Sequence, residues 1–206
     1  MKNIKANDLF PTDYTLDKSQ LVGRDKDSKT LKKRIDNGVN TFISSPRRTG
    51  KSSLVESTLK EYENNNEFYI ISLDLWSISS REDFAKALFA NTVANQNLPR
   101  RIISKLKNQW NELDSTEITS LGEITANYIE GSITFEPSIQ KDTNKLLKFA
   151  FSFPQAIAAK DNKQVILFFD EFQNFIEFDD DQKSLQKMLR TVLQDSPDVS
   201  AIFSGS

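Results

Sequence analysis

Two residue types are missing from this 206-residue chain, which has no cysteine and no histidine. Without thiols there are no disulfides and no thiolate metal sites. Without imidazole the usual neutral-pH base and metal ligand is gone as well. Catalysis must therefore rest on carboxylates, lysine, arginine, hydroxyls or a metal held by oxygen. No apolar run approaches the roughly 18–20 residues that span a bilayer. The segment Met1-Lys2-Asn3-Ile4-Lys5-Ala6-Asn7 lacks the apolar core of a signal peptide. The expectation is a cytoplasmic protein with no membrane partner. A polybasic face is absent too: 27 Lys and Arg stand against 29 Asp and Glu, for a net charge of −2. Any nucleic-acid contact would need a separate region. There is no internal repeat, and the one low-complexity stretch is Asn64-Asn65-Asn66.

What remains is enough for one α/β domain. Hydrophobic residues make up 37% of the chain, and the 15 Phe supply much of the core material. The most telling stretch runs Ser44-Ser45-Pro46-Arg47-Arg48-Thr49-Gly50-Lys51-Ser52-Ser53, entered from Thr41-Phe42-Ile43. It reads as a strand, a tight loop and a helix start. Gly50, Lys51 and Ser52 stand in register with the phosphate-loop pattern G-x-x-x-x-G-K-[ST], while Ser45 replaces its first glycine. Backbone N–H groups of such a loop curl around a phosphate, and the helix N-terminus adds partial positive charge. Lys51 would reach the β- and γ-phosphates, and the Ser52 hydroxyl would complete a Mg²⁺ shell. The plain alternative is a polar strand-to-helix turn in which Ser45 caps the helix and Lys51 is solvated.

A second motif supplies the context. Val165-Ile166-Leu167-Phe168-Phe169 is a run of five apolar residues followed by Asp170-Glu171, as suits a strand buried on both faces of a parallel sheet. Two acids at its carboxyl end lie where open α/β sheets bind ligands. Asp170 would orient Mg²⁺ and Glu171 would polarise the attacking water. The alternative is a solvated acidic turn, since Glu177, Asp179, Asp180 and Asp181 follow closely.

The remaining elements alternate. A helix is expected from about Asp25 to Ile35, stopped by Asn37-Gly38. Strand one is expected at Thr41–Ser45, followed by an amphipathic helix over Gly50–Glu63 with Leu54, Val55, Thr58, Leu59 and Tyr62 on one face. Strand two is Phe68–Leu75, and Ser79 with Glu82 makes a capping box for the next helix. A mostly helical insertion spans about 98–160, with Ile102, Ile103, Leu106, Trp110 and Leu113 on one face. Gly131–Pro137 looks extended, and Pro154 is expected to kink or split the helical run of 138–160. An amphipathic helix over Asp181–Gln194 is broken by Ser196-Pro197-Asp198, and Val199–Phe203 begins a fourth strand. Residues 1–20 read as an extended lead-in. The alternation argues for a parallel sheet with helices on both faces. Because strand two intervenes, the acidic strand is not the immediate sequence successor of strand one.

Taken together, Val22-Gly23-Arg24, Ser45–Leu54, Phe169-Asp170-Glu171-Phe172-Gln173 and Ile202-Phe203-Ser204-Gly205-Ser206 resemble the archaeal-type ATPase family. That family belongs to the STAND class of P-loop NTPases, which are AAA-like switch ATPases. The resemblance covers about residues 20–206 and implies a three-layer P-loop NTPase core at 21–206. It implies adenine nucleotide on Pro46, Arg47, Arg48, Thr49, Gly50, Lys51, Ser52 and Ser53, with Val22, Gly23 and Arg24 near the adenine. Mg²⁺ would sit on Ser52 and Asp170, with Glu171 as general base. Ser204 or Ser206 would lie where the family carries a γ-phosphate sensor. Arg47 and Arg48 can equally be solvated, and Gln173 can equally cap the next turn or orient water. The resemblance further implies a fifth strand and a winged-helix domain beyond Ser206, so the chain is expected to be truncated after its fourth core strand, with an open sheet edge that invites self-association. Three functions stay open: an ATPase switch, a nucleotide sensor or oligomerisation module that barely hydrolyses, and a DNA-associated ATPase whose DNA-binding region lies elsewhere.

Overall fold

The computed structural model describes residues 21–94, 143–177 and 182–206. The expected lead-in, the Ile102–Leu113 face, the extended 131–137 segment and the acids at 179–181 lie outside the described residues. Four strands form one sheet: β1 (Thr41–Ser44), β2 (Phe68–Asp74), β3 (Gln164–Asp170) and β4 (Val199–Gly205). All three pairings are parallel, and the order is β1-β4-β3-β2. The last strand in sequence therefore inserts between the loop-bearing strand and the acidic strand. The helices are α1 (Asp25–Asp36), α2 (Lys51–Leu59), α3 (Arg81–Ala94), α4 (Thr143–Asp161), α5 (Gln173–Glu177) and α6 (Gln182–Gln194).

The side-chain period of two on β3 explains why its apolar run is continuous. Ile166 and Phe168 face a cluster with Leu31 and Ile35 of α1 and Val55 and Leu59 of α2. Val165, Leu167 and Phe169 face the opposite way, into a larger cluster built from α3, α4 and α6. Both faces are covered, so every position needs an apolar residue. Phe84 of α3 is the hub of the larger core, with ring centroids 4.3 Å from Phe175, 5.3 Å from Phe151 and 5.6 Å from Phe169. Burying one such ring contributes about 1.5–3 kcal/mol.

Several elements depart from expectation. Helix α2 ends at Leu59, because the amides of Glu61 and Tyr62 bond to Thr58 and Leu59 three residues back, the tighter winding common at helix ends. Nor is α2 amphipathic: Lys51, Ser53, Leu54, Val55, Ser57, Thr58 and Leu59 are all buried. Helix α1 covers its outer side, where Ser28 and Thr58 hydroxyls meet at 3.2 Å. The cap of α3 is Ser80, not Ser79: the Asp83 amide donates to Ser80 Oγ at 3.1 Å, and that hydroxyl donates to Asp83 Oδ2 at 2.7 Å. Helix α4 runs unbroken through Pro154. The proline costs on the order of 3 kcal/mol, which burial of Phe149, Phe151, Phe153 and Ile157 on the same helix outweighs. Strand β2 gives way to a short 3₁₀ turn at Leu75–Ser77, and β4 extends two residues past Phe203. Among the described residues β1 pairs only with β4, which leaves its other edge open and Phe42 61% exposed.

Candidate functional site

Parallel pairing puts the carboxyl ends of β1, β4 and β3 on one rim of the sheet. With β4 between them, the loop after β1 and the acids after β3 are two strand spacings apart, about 10 Å at the backbone. That gap is the topological switch point at which open α/β sheets take ligands.

The loop from Ser45 to Gly50 is shaped by two left-handed residues, Arg48 (φ 61°) and Gly50 (φ 78°). Gly50 is the N-cap of α2, and nothing lies within 4 Å of where a Cβ would stand on it. Such alternating backbone makes an anion-binding concavity at a helix N-terminus. Ser45, standing where the pattern has glycine, is tied in by its hydroxyl, 2.6 Å from Thr49 Oγ1. It does not cap α2. Thr49 in turn donates to the Pro46 carbonyl at 2.8 Å.

Lys51 is not solvated, since it is only 6% exposed. Its Nζ donates to the carbonyls of Ser45 at 2.6 Å and Pro46 at 3.1 Å. Carbonyl dipoles hold the ammonium in place without cancelling its charge, and a buried cation with neutral partners is a strong receptor for an anion. Ser52 and Ser53 follow on the first turn, half-buried and buried. Arg24 reaches the same loop from the start of α1: Nη2 donates to the Thr49 carbonyl at 2.5 Å, and Nη1 pairs with Asp27 at 2.7 Å. Gly23 has φ 78°, and Val22 beside it is 92% exposed. Arg47 and Arg48 are both exposed. Arg47 lies over the Trp76 ring, 5.2 Å from its centroid. Sequence reasoning did not single out Trp76; its 64% exposure for so large a ring is visible only in the fold.

On the other side of the gap, Asp170 ends β3 in register with Asp74 of β2. Asp170 Oδ1 accepts from Ser204 Oγ at 2.5 Å and from the Glu171 amide at 3.0 Å. Ser204 is fully buried, whereas Ser206 lies exposed at the rim. Glu171 sits just past the strand with φ 52°, a left-handed turn that non-glycine residues adopt at a cost. The turn is pinned by Phe172, whose amide donates to the Ser204 carbonyl at 2.8 Å and whose ring packs on Phe203 at 4.6 Å. Gln173 opens α5. Its Nε2 donates to Glu171 Oε2, and its Oε1 accepts from the Ser206 amide at 3.2 Å. An added Cβ on Gly205 would lie 2.8 Å from Gln173 Oε1.

The available donors, a serine hydroxyl on α2 and the carboxylate of Asp170, are hard oxygen ligands that fit Mg²⁺. Among the described residues no group of three His, Cys, Asp or Glu that could hold a metal ion is found. No helix of the described residues is long and apolar enough to cross a membrane.

No family model matches the chain, and no curated protein matches it in sequence. Among solved structures it is similar to a Walker-type ATPase of Pyrococcus abyssi, with a TM-score of 0.55 and 19% identity. The likeness covers 96% of this chain and 49% of the other, so the chain spans about half the length of that protein. The fold is that of a P-loop NTPase. Among the described residues its core is a parallel four-stranded sheet with helices on both faces, the strand that precedes the Ser45–Gly50 loop lying beside β4.

Proposed function

We propose that the chain binds Mg²⁺–ATP and hydrolyses it slowly, as a nucleotide-driven switch ATPase of the STAND kind. The observation that carries this reading is Lys51: a buried ammonium held by two carbonyls at the start of α2, on the same rim of the sheet as the Asp170-Glu171 end of β3. In this reading the loop amides and Lys51 bind the β- and γ-phosphates, and Arg24 keeps the loop in shape through Thr49. Ser52 and Asp170 hold Mg²⁺, which when bound neutralises phosphate charge. Glu171 takes the proton of the attacking water. The Ser204 hydroxyl is engaged by Asp170, so its role is to steady that carboxylate, and Ser206 is the residue at the rim in the sensor position.

The sensor-module reading has one observation in its favour. Ser45, tied to Thr49, puts a side chain where the phosphate-loop pattern has glycine, which suits slow turnover. Calorimetry decides the binding step. Lys51→Ala removes a charge-assisted contact worth about 1.5–3 kcal/mol, so Mg²⁺–ATP affinity should fall by roughly ten- to a hundredfold. Equal affinity in both proteins would end the proposal. Turnover decides between switch and sensor. Glu171→Gln should keep nucleotide affinity and lose roughly 10²–10⁴ in rate; an unchanged rate leaves the sensor module.

A further inference from the structure

The side chain of Gln173 touches both the residue assigned as base and the end of a neighbouring strand. We propose that Gln173 is a positioning residue that sets the orientation of Glu171 and ties it to the backbone at Gly205–Ser206, so that displacement of the end of β4 is transmitted to the base. The proposal rests on the ATPase reading and deepens it.

Three independent features meet here. The carboxamide is bidentate in function: its N–H₂ holds Glu171 Oε2, and its oxygen holds the Ser206 amide. Because the two ends of one amide are planar and rigid, a shift of Ser206 must either break a bond or turn the group that orients Glu171. The contact also requires glycine at 205, since an added Cβ would stand 2.8 Å from Gln173 Oε1. Gly205 has no positive φ, so close approach of Gln173, and not backbone conformation, accounts for the missing side chain. Finally, Glu171 is itself held in a left-handed conformation (φ 52°). Its turn is fixed on either side by the Glu171 amide on Asp170 and the Phe172 amide on Ser204. With the backbone fixed, the free variable is the carboxylate rotamer, and Gln173 is its partner. Ser206 directly follows β4, so a shift there reaches the Glu171 carboxylate through the Gln173 carboxamide.

The test uses two variants of the full chain. Gln173→Glu keeps the shape and the acceptor for Ser206 but faces Glu171 with a second carboxylate. Gly205→Ala keeps every functional group and pushes the carboxamide aside. Both should lower kcat by about tenfold or more, the scale of an ångström-size misplacement, with the Kd for Mg²⁺–ATP by calorimetry unchanged. Amide hydrogen exchange at Ser206 should accelerate in Gly205→Ala and stay slow in Gln173→Glu. In a Glu171→Gln background, neither change should lower single-turnover rates further, because the group being oriented is no longer a base. Losses that add in that cycle, or parental kcat in both variants, would overturn the positioning role while leaving the ATPase intact. A parent chain that neither binds nor turns over Mg²⁺–ATP would overturn the ATPase reading itself, and this role with it.

Discussion

Ser204 Oγ donates to Asp170 Oδ1 across 2.5 Å, joining the ends of β4 and β3 at the rim of the sheet. Asp170 thus has one oxygen committed to the protein, which also accepts the Glu171 amide, and one left for other chemistry. Orientation of a metal-binding carboxylate by such outer partners is a general device, and removing them typically costs about 10–100-fold in metal affinity.

Ser204→Ala should therefore weaken the Mg²⁺-dependent part of ATP binding by about tenfold or more, while binding of ATP in chelator changes little. Losing a hydrogen bond to a charged group should also destabilise the fold by about 1.5–3 kcal/mol. Calorimetry with and without Mg²⁺ reads the first effect and urea unfolding the second. An unaltered Mg²⁺ dependence would show that Asp170 does not face the ion.

Phe84 carries the larger core. Its ring meets Phe151, Phe169 and Phe175, so it couples α3 to α4, to the acidic strand and to α5. Phe84→Ala should cost about 3–5 kcal/mol, read as a lower urea midpoint with the slope unchanged. Phe84→Leu should cost clearly less. A loss below about 1 kcal/mol for alanine would mean that the core repacks around the gap.

Tyr62 gives the fold an alkaline limit. Burial first, then its hydrogen bond to Asp36 at 2.6 Å and the charges of Asp36 and Glu61, push the phenol well above its ordinary value near 10. A group whose folded pKa is raised contributes stability that is complete below the unfolded pKa and is lost as pH climbs above it. Stability should fall above about pH 10, and Tyr62→Phe should flatten that fall. Parallel curves for the two proteins above pH 10 would assign the alkaline loss to other groups.

Much of this was legible in the chain because the signals were local and redundant. The apolar run before Asp170-Glu171 suits a strand covered on both faces, and Gly50-Lys51-Ser52 after Thr41–Ser45 reads as strand–loop–helix. What escaped depends on contacts that exist only in the folded chain. That Lys51 is buried follows from carbonyls of its own loop, and that α2 is buried nearly all round follows from α1 lying over it. The continuity of α4 through Pro154 is a tertiary override, won by four large side chains packed on both sides of the proline. For Gln173 capping and orienting water stayed equally open, because its second partner, the Ser206 amide, is 33 positions away. Gly205 offered a signal, a glycine in a buried strand, whose meaning needed the neighbour it admits.

Arg24 separates two accounts of the segment before α1. If it lies on the adenine, its loss should alter base preference. The guanidinium donates to the Thr49 carbonyl at 2.5 Å, within the Ser45–Gly50 loop, and its second contact is the exposed pair with Asp27. That surface pair contributes little, so the effect of Arg24→Ala should come from the loop. One hydrogen bond of about 0.5–1.5 kcal/mol corresponds to a weakening of about two- to tenfold. The loss should be the same for ATP, GTP and inorganic tripolyphosphate, because a slack loop weakens phosphate binding whatever base is attached. Asp27→Ala, which breaks the surface pair and leaves the loop contact, should bind all three like the parent. Competition titrations with the three ligands make the comparison direct. A loss confined to ATP would move Arg24 from the loop to the base and reverse this assignment.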